Sequence, residues 1–210
     1  VAAFEAVKAH RKVVALDLNP LTSFIVESLT SDFDETAFVN AFRLIEAEIG
    51  KDPIYIKHFT KEYKGQLGVV SNYQWSSDEV VKVALEIPSK EIAKNGKAKK
   101  GSRSFTSADD QDKENAAEMK NLEIPYWYPT DTFPTTPSIT HKFIADIGGN
   151  GFNYLWTRRN LYILSRIFDL RLKQYDQNIR LQLFFGFIQT LHLTSKMVVP
   201  RHETAKRDFS

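Results

Sequence analysis

Two groups of residues have types and spacings suited to chemistry. The first is Asp17-Leu18-Asn19, reached through the run Val13-Val14-Ala15-Leu16. Just upstream, Ala2 to His10 reads as a helix with Ala3, Phe4 and Val7 on one side. Helix, basic turn, buried strand and an acid at the strand's C-terminal tip make the second half of a mononucleotide-binding βαβ unit. A carboxylate in that position can accept both hydrogen bonds of a ribose diol. The plainer alternative is an ordinary parallel strand, with Asp17 capping the next helix. Asn19-Pro20 stops the strand, because proline cannot donate to the ladder and restricts the residue before it. The glycine-rich loop that usually accompanies such an acid has no counterpart here and would precede Val1.

The second group is Arg158-Arg159-Asn160 with Lys196. Thr157 is the N-cap candidate of a helix whose stripe is Leu161, Leu164, Ile167 or Phe168, and Leu172. Arginines in a first turn oppose the helix macrodipole, so their presence points to an anion or a partner carboxylate. Lys196 sits in Thr194-Ser195-Lys196-Met197, where it closes the following helix at the end that favours a cation. Further positive charge comes from Lys97, Lys99 and Lys100. They lie in a stretch, Lys90 to Arg103, without apolar periodicity, which reads as a flexible basic loop. That loop is either a solvated tip or a phosphate-seeking arm driven by counterion release. The acidic run Asp109, Asp110, Asp112, Glu114 and Glu118 partly offsets it, on a short helix or a disordered segment.

The elements that must position these groups follow from periodicity. Leu21 to Leu29 reads as a short helix. Glu35 to Ile49 is a longer one, with Phe38, Phe42, Ile45 and Ile49 on one stripe and Gly50 as its stop. Gln66–Trp75 and Glu79–Ile87 read as a β-hairpin turning at Ser76-Ser77-Asp78, whose aromatics cover a small sheet or, alternatively, stack on bases. Ile124-Pro125-Tyr126-Trp127-Tyr128-Pro129-Thr130-Asp131 must be extended, since each proline disfavours helix at its neighbour. It is a strap across a core or a stacking surface. Ile147-Gly148-Gly149-Asn150-Gly151 reads as a turn. Asn178 to Leu193 leaves little polar face, which predicts a helix buried nearly all round.

Composition bounds the function classes. The chain has 210 residues, a net charge of +2 and no cysteine. A real core can form. Disulfides, thiolate zinc sites and cysteine nucleophiles are excluded, and any polyanion site must come from local patches. No run approaches the ~18 apolar residues of a membrane span. The expected location is the cytoplasm. His202 has no metal partners in its neighbourhood, and the tail with Arg201, Lys206 and Arg207 reads as loose.

Three segments together resemble a known family: the Lys12–Leu21 strand, Ile124–Asp131, and Trp156-Thr-Arg-Arg-Asn-Leu-Tyr162 followed by Thr194–Met197. In this order they look like the middle of bacterial DNA methyltransferases that act on exocyclic amino groups of adenine or cytosine. The resemblance covers most of the chain and is weakest from Lys94 to Asn121. It implies S-adenosylmethionine as cofactor, with Asp17 holding its ribose, Leu18 beside its adenine and Asn19 adjoining. It implies DNA as partner, through Arg158, Arg159, Asn160, Lys196, Lys97, Lys99 and Lys100, and a restriction or other modification subunit as a further partner. Tyr63 to Ile92 looks like an inserted zinc ribbon without its cysteines. Lys64, Ala84 and Ile87 stand at such positions, so no metal is expected.

The fold this implies is α/β, a partial Rossmann-like methyltransferase sheet with an inserted β-hairpin and a helical segment. Residues 1–60 would be part of the cofactor domain, 61–121 the hairpin and charged loop, and 122–210 the aromatic strap and DNA-facing helices. The family's catalytic Asp-Pro-Pro-Tyr occurs nowhere in the chain, so none of these residues is expected to be catalytic. In the family's order that motif would follow Ser210, and the chain reads as a fragment that is inactive alone. A second reading is a nucleic-acid-binding or protein-interaction module that kept the fold and lost catalysis. A third is a dinucleotide-using Rossmann enzyme, which Asp17 alone does not exclude.

Overall fold

The computed structural model describes residues 2–89, 101–134, 143–171 and 175–197. In chain order they form α1 (Ala2–Lys8), α2 (Pro20–Thr30), α3 (Glu35–Gly50), α4 (Pro53–Phe59), β1 (Thr60–Tyr63), β2 (Gln66–Ser76), β3 (Glu79–Ile87), β4 (Ser102–Ser107), α5 (Asp110–Lys120), α6 (Phe143–Ile147), a 3₁₀ turn (Phe152–Leu155), α7 (Arg158–Arg171) and α8 (Gln177–Leu193). Lys97, Lys99, Lys100, Leu172 and the tail from residue 198 lie outside the described residues.

The sheet runs β1-β2-β3-β4 and every pairing is antiparallel. The expected hairpin is its centre. Its two-residue loop puts Ser77 at φ 54, the left-handed conformation such loops require. β1 adds to one side through Lys64 and Gly65, at φ 50 and 72, and β4 to the other. Val70, Val83 and Leu85 form the buried face.

The parallel, Rossmann-like strand expected at Val13–Leu16 is not formed: residues 11–19 are neither strand nor helix. A strand needs neighbours for its backbone groups, and no described strand lies beside this run. Val14, Leu16 and Leu18 are consequently 87%, 92% and 103% exposed. Asn19, rather than Asp17, caps α2: its side chain accepts from the Leu21 amide at 3.0 Å.

A helical layer holds the largest core cluster, built from Ala41, Ile45 and Ile49 of α3, Leu170 of α7, and Ile179 and Leu183 of α8. The strap Ile124–Asp131 is neither helix nor strand, in keeping with its prolines. Ile124 packs on Leu161 and Tyr162, Tyr126 meets the Tyr162 ring edge-on at 5.7 Å, and Trp127 lies 5.0 Å from Phe168. Tyr162 donates to Asp52, at 3.1 Å, while Asp52 caps α4 by accepting from the Ile54 amide.

The near-complete burial expected of α8 is not observed. Only Ile179 and Leu183 are buried, because α2, α3 and α7 cover part of a helix that is apolar all round. Cavities of about 410 and 350 Å³ open on its flanks, and Phe187 lines both.

His58 of α4 is fully buried, and neither ring nitrogen has a hydrogen-bond partner. Burial, only partly offset by Glu118, pushes its pKa below the ordinary 6.5. Below pH 6.5 the unfolded chain therefore binds a proton that the folded chain resists, so acidification lowers stability. The thermal midpoint should fall between pH 7 and pH 5. His58→Gln should flatten that fall, and an unchanged profile in the variant would contradict the assignment. The ceiling for one group is about 1.4 kcal/mol per pH unit.

Candidate functional site

Of the cations predicted from sequence, Arg158, Arg159 and Lys196 sit around the start of α7. Thr157 caps the helix, its Oγ1 accepting from the Asn160 amide at 3.2 Å. Asn160 donates from Nδ2 to Thr194 O at 2.9 Å, and Trp156 donates from its indole to Leu191 O at 2.9 Å. These bonds tie the start of α7 to the end of α8. They set Lys196 beside the first turn, with its Nζ donating to Ile147 O at 2.7 Å and its amide to Leu155 O at 2.8 Å.

Arg158 and Arg159 leave in different directions. Arg158 donates from Nε to Leu122 O at 2.7 Å, and its guanidinium lies 5.6 Å over the Tyr128 ring. Arg159 is 8% exposed. It bonds Val70 O of β2, just past the last β2 residue paired with β1, and lies 4.0 Å from the Phe59 ring centre and 5.2 Å from that of Tyr73. Its Nε has no hydrogen-bond partner. Burial holds its pKa down to about 10, so it remains charged at neutral pH, and no carboxylate compensates it. Carbonyls and aromatic faces thus stand where a carboxylate was one expectation.

Two adjoining cavities of about 340 and 430 Å³ share Lys120, Arg158 and Lys196. The first is bounded by β2, α5 and the start of α7, with Asn72, Tyr73 and Trp75 on the β2 side and Met119 on the α5 side. The second adds Asn153, Tyr154 and Trp156. Tyr154 stands over Gly149, where a Cβ would come within 2.5 Å of its ring, so a side chain at 149 would displace this wall. No carboxylate lines either cavity. Among the described residues none of the ion pairs includes Lys120, Arg158, Arg159 or Lys196; the lysines and arginines that pair with acids are Lys8, Lys51, Lys57, Lys61, Arg103, Lys113 and Arg166. Burial lowers the Lys196 pKa. A cleft whose cations lack counter-charges attracts anions, and its low-dielectric walls strengthen the field.

Four predicted residues, Arg158, Arg159, Asn160 and Lys196, therefore line one cleft. Asp17, Leu18 and Asn19 lie apart from it. Asp17 Oδ1 accepts from the Asn19 amide at 2.7 Å, and Leu18 is wholly exposed, so it forms no wall for an adenine ring. Sequence reading missed Lys120, Asn72 and Tyr154 as cleft residues, and offered Trp75 only as one of the hairpin aromatics that cover a small sheet or stack on bases. Lys120 closes a helix that reads as acidic, and Asn72 sits in a strand whose alternation speaks for packing.

Among the described residues no helix is long and apolar enough to cross a membrane, and no group of three or more His, Asp or Glu side chains could hold a metal ion. Comparison with family models, curated proteins and solved structures found no match.

Proposed function

We propose that the chain is the DNA-engaging part of an S-adenosylmethionine-dependent DNA amino-methyltransferase, and that the cleft at the start of α7 grips the DNA backbone. The single observation that carries this reading is the cleft itself: Lys120, Arg158 and Lys196 line it without a carboxylate, over the buried Arg159. Charge-assisted bonds from arginine and lysine are the usual means of holding phosphate oxygens. The methyltransferase half of the proposal is supported by the sequence resemblance, as is the partial Rossmann-like sheet to which residues 11–19 would belong. Lys97, Lys99 and Lys100 would add phosphate contacts, and a restriction or modification subunit would be a further partner.

The chain's own share in this reading is binding, since it contains no Asp-Pro-Pro-Tyr. Asp17, with Leu18 and Asn19 beside it, is where it would hold cofactor. Equilibrium dialysis with labelled S-adenosylmethionine tests that role. Asp17→Ala should weaken retention at least tenfold, through the loss of its charged hydrogen bonds to the ribose diol; equal retention by both proteins would remove Asp17 from the cofactor site. The alternative, a binding module without methyl transfer, is favoured by the exposed Leu18 and the open surroundings of Asp17. It predicts DNA binding with no retention of the cofactor.

A further inference from the structure

The α5 wall of the cleft is held mainly by polar contacts. Ala116 and Met119 are its buried apolar residues. Its first turn is tied to β1 by Lys61 through Asp109 and Asp112. Its second half leans on α4: Asn115 donates from Nδ2 to Lys57 O at 3.1 Å, and Lys57 Nζ pairs with Glu118. Segments with few buried apolar contacts open locally at a lower cost than the rest of a fold. His58 sits at this α4–α5 contact, fully buried, with Nε2 3.8 Å from Glu118 Oε2 and neither nitrogen hydrogen-bonded. The charged groups that act on its ring are Glu118 from α5, Lys57 from its own helix and Arg159 from α7. The one carboxylate among them is already engaged by Lys57. A neutral imidazole can stay in such a place; an imidazolium there meets two cations and no water.

We propose that His58 is a proton-operated latch on the cleft: when its ring takes a proton, the second half of α5, residues 115–120, lifts from α4 and carries Lys120 away. The first turn stays in place, because Lys61 keeps its bond to Asp109, whose carboxyl remains ionised to below its ordinary 3.8. The latch does not depend on the DNA reading, since α5 opens or stays closed whatever the cleft holds. In the lifted arrangement the ring meets water and titrates near the ordinary 6.5, while burial holds it lower in the closed one. Opening therefore grows as pH falls below 6.5, by up to about tenfold between pH 7.5 and 5.5. A midpoint between neutral and mildly acid pH is the range in which histidine switches work.

Amide hydrogen exchange of the full chain, read residue by residue by NMR at pH 7.5 and 5.5, tests this. After correction for intrinsic rates, the amides of residues 116–120 should exchange up to about tenfold faster at pH 5.5. Those of residues 41–49 in α3, which carry the largest core cluster, should keep their protection. His58→Gln and His58→Phe, which carry no titrating ring, should hold the α5 amides within about twofold. A reading that needs no variant comes from the wild-type imidazole, whose ring carbon shift should titrate below pH 6.5. A wild-type rise under about twofold, an equal rise in α5 and α3, or the same rise in His58→Phe would overturn the proposal. So would a His58 ring that takes its proton at or above pH 6.5 while α5 stays protected.

Discussion

Replacing Lys61 by methionine is expected to cost about 3–5 kcal/mol of folding stability, the penalty of stranding a buried charge. Lys61 of β1 reaches two carboxylates of α5: Asp109 at 2.7 Å, and Asp112, whose side chain is 5% exposed. Asp109 and Asp112 form the capping box of that helix, each accepting from the other's amide. One lysine thus pins the start of α5 to the sheet, and α5 carries Lys120 to the cleft. Without it, Asp112 keeps its bond from the Asp109 amide and loses its cation. Urea denaturation of wild type and Lys61→Met measures the cost. Adding Asp112→Asn to the variant should recover a large part, because the stranded charge is then gone; a cost below about 1 kcal/mol would contradict the assignment.

Acid should reveal the same network. The hydrogen bond from Lys61 holds the Asp109 carboxyl below its ordinary 3.8, while the bonds to Asp109 and Asp112 lift the Lys61 ammonium despite its burial. A depressed carboxyl contributes stability that is present above the ordinary value and lost as pH falls through the folded one. Wild type should therefore lose more stability than Lys61→Met on acidification below about pH 4.

The second large effect concerns binding. The double variant Lys120→Ala, Lys196→Ala should bind duplex DNA about 100-fold more weakly, at about 1.5 kcal/mol for each charged hydrogen bond lost. Lys120 ends α5 on the surface and Lys196 follows α8, so neither truncation opens a core. Lys113→Ala is the matched control: its ammonium already faces Glu79 at 2.5 Å, and its loss should leave affinity within twofold. Equal weakening by the control and the double variant would point to net charge rather than to the cleft.

The parts of this fold that were legible in the sequence are those governed by local rules. The hairpin showed in its β-branched residues, the start of α7 in Thr157, and the non-helical strap in its two prolines. Arg158 and Arg159 stood out because a helix's first turn carries charge of the wrong sign for its dipole, while Lys196 comes beside them through the bond from Asn160 to Thr194 O. What escaped depends on partners distant in sequence. Val13–Leu16 has the composition of a strand, but strand formation needs a neighbouring backbone, and the described chain supplies none there. Asn178–Leu193 has the composition of a buried helix, but its burial depends on how much of it α2, α3 and α7 cover. Lys120 and Trp75 reach the cleft only because Lys61 and Arg159 bind α5 and α7 to the sheet.

The central claim, that the unpaired cations of the cleft meet DNA phosphates, is tested most directly by the salt dependence of duplex affinity. Three accessible cations, Lys120, Arg158 and Lys196, line the cleft. Each phosphate neutralised contributes about −0.9 to the slope of log K against log salt concentration. Wild type should show a slope of about −2.7 or steeper, and Lys120→Ala, Lys196→Ala should be shallower by about 1.8. A flat response, or one slope shared by both proteins, would contradict the account.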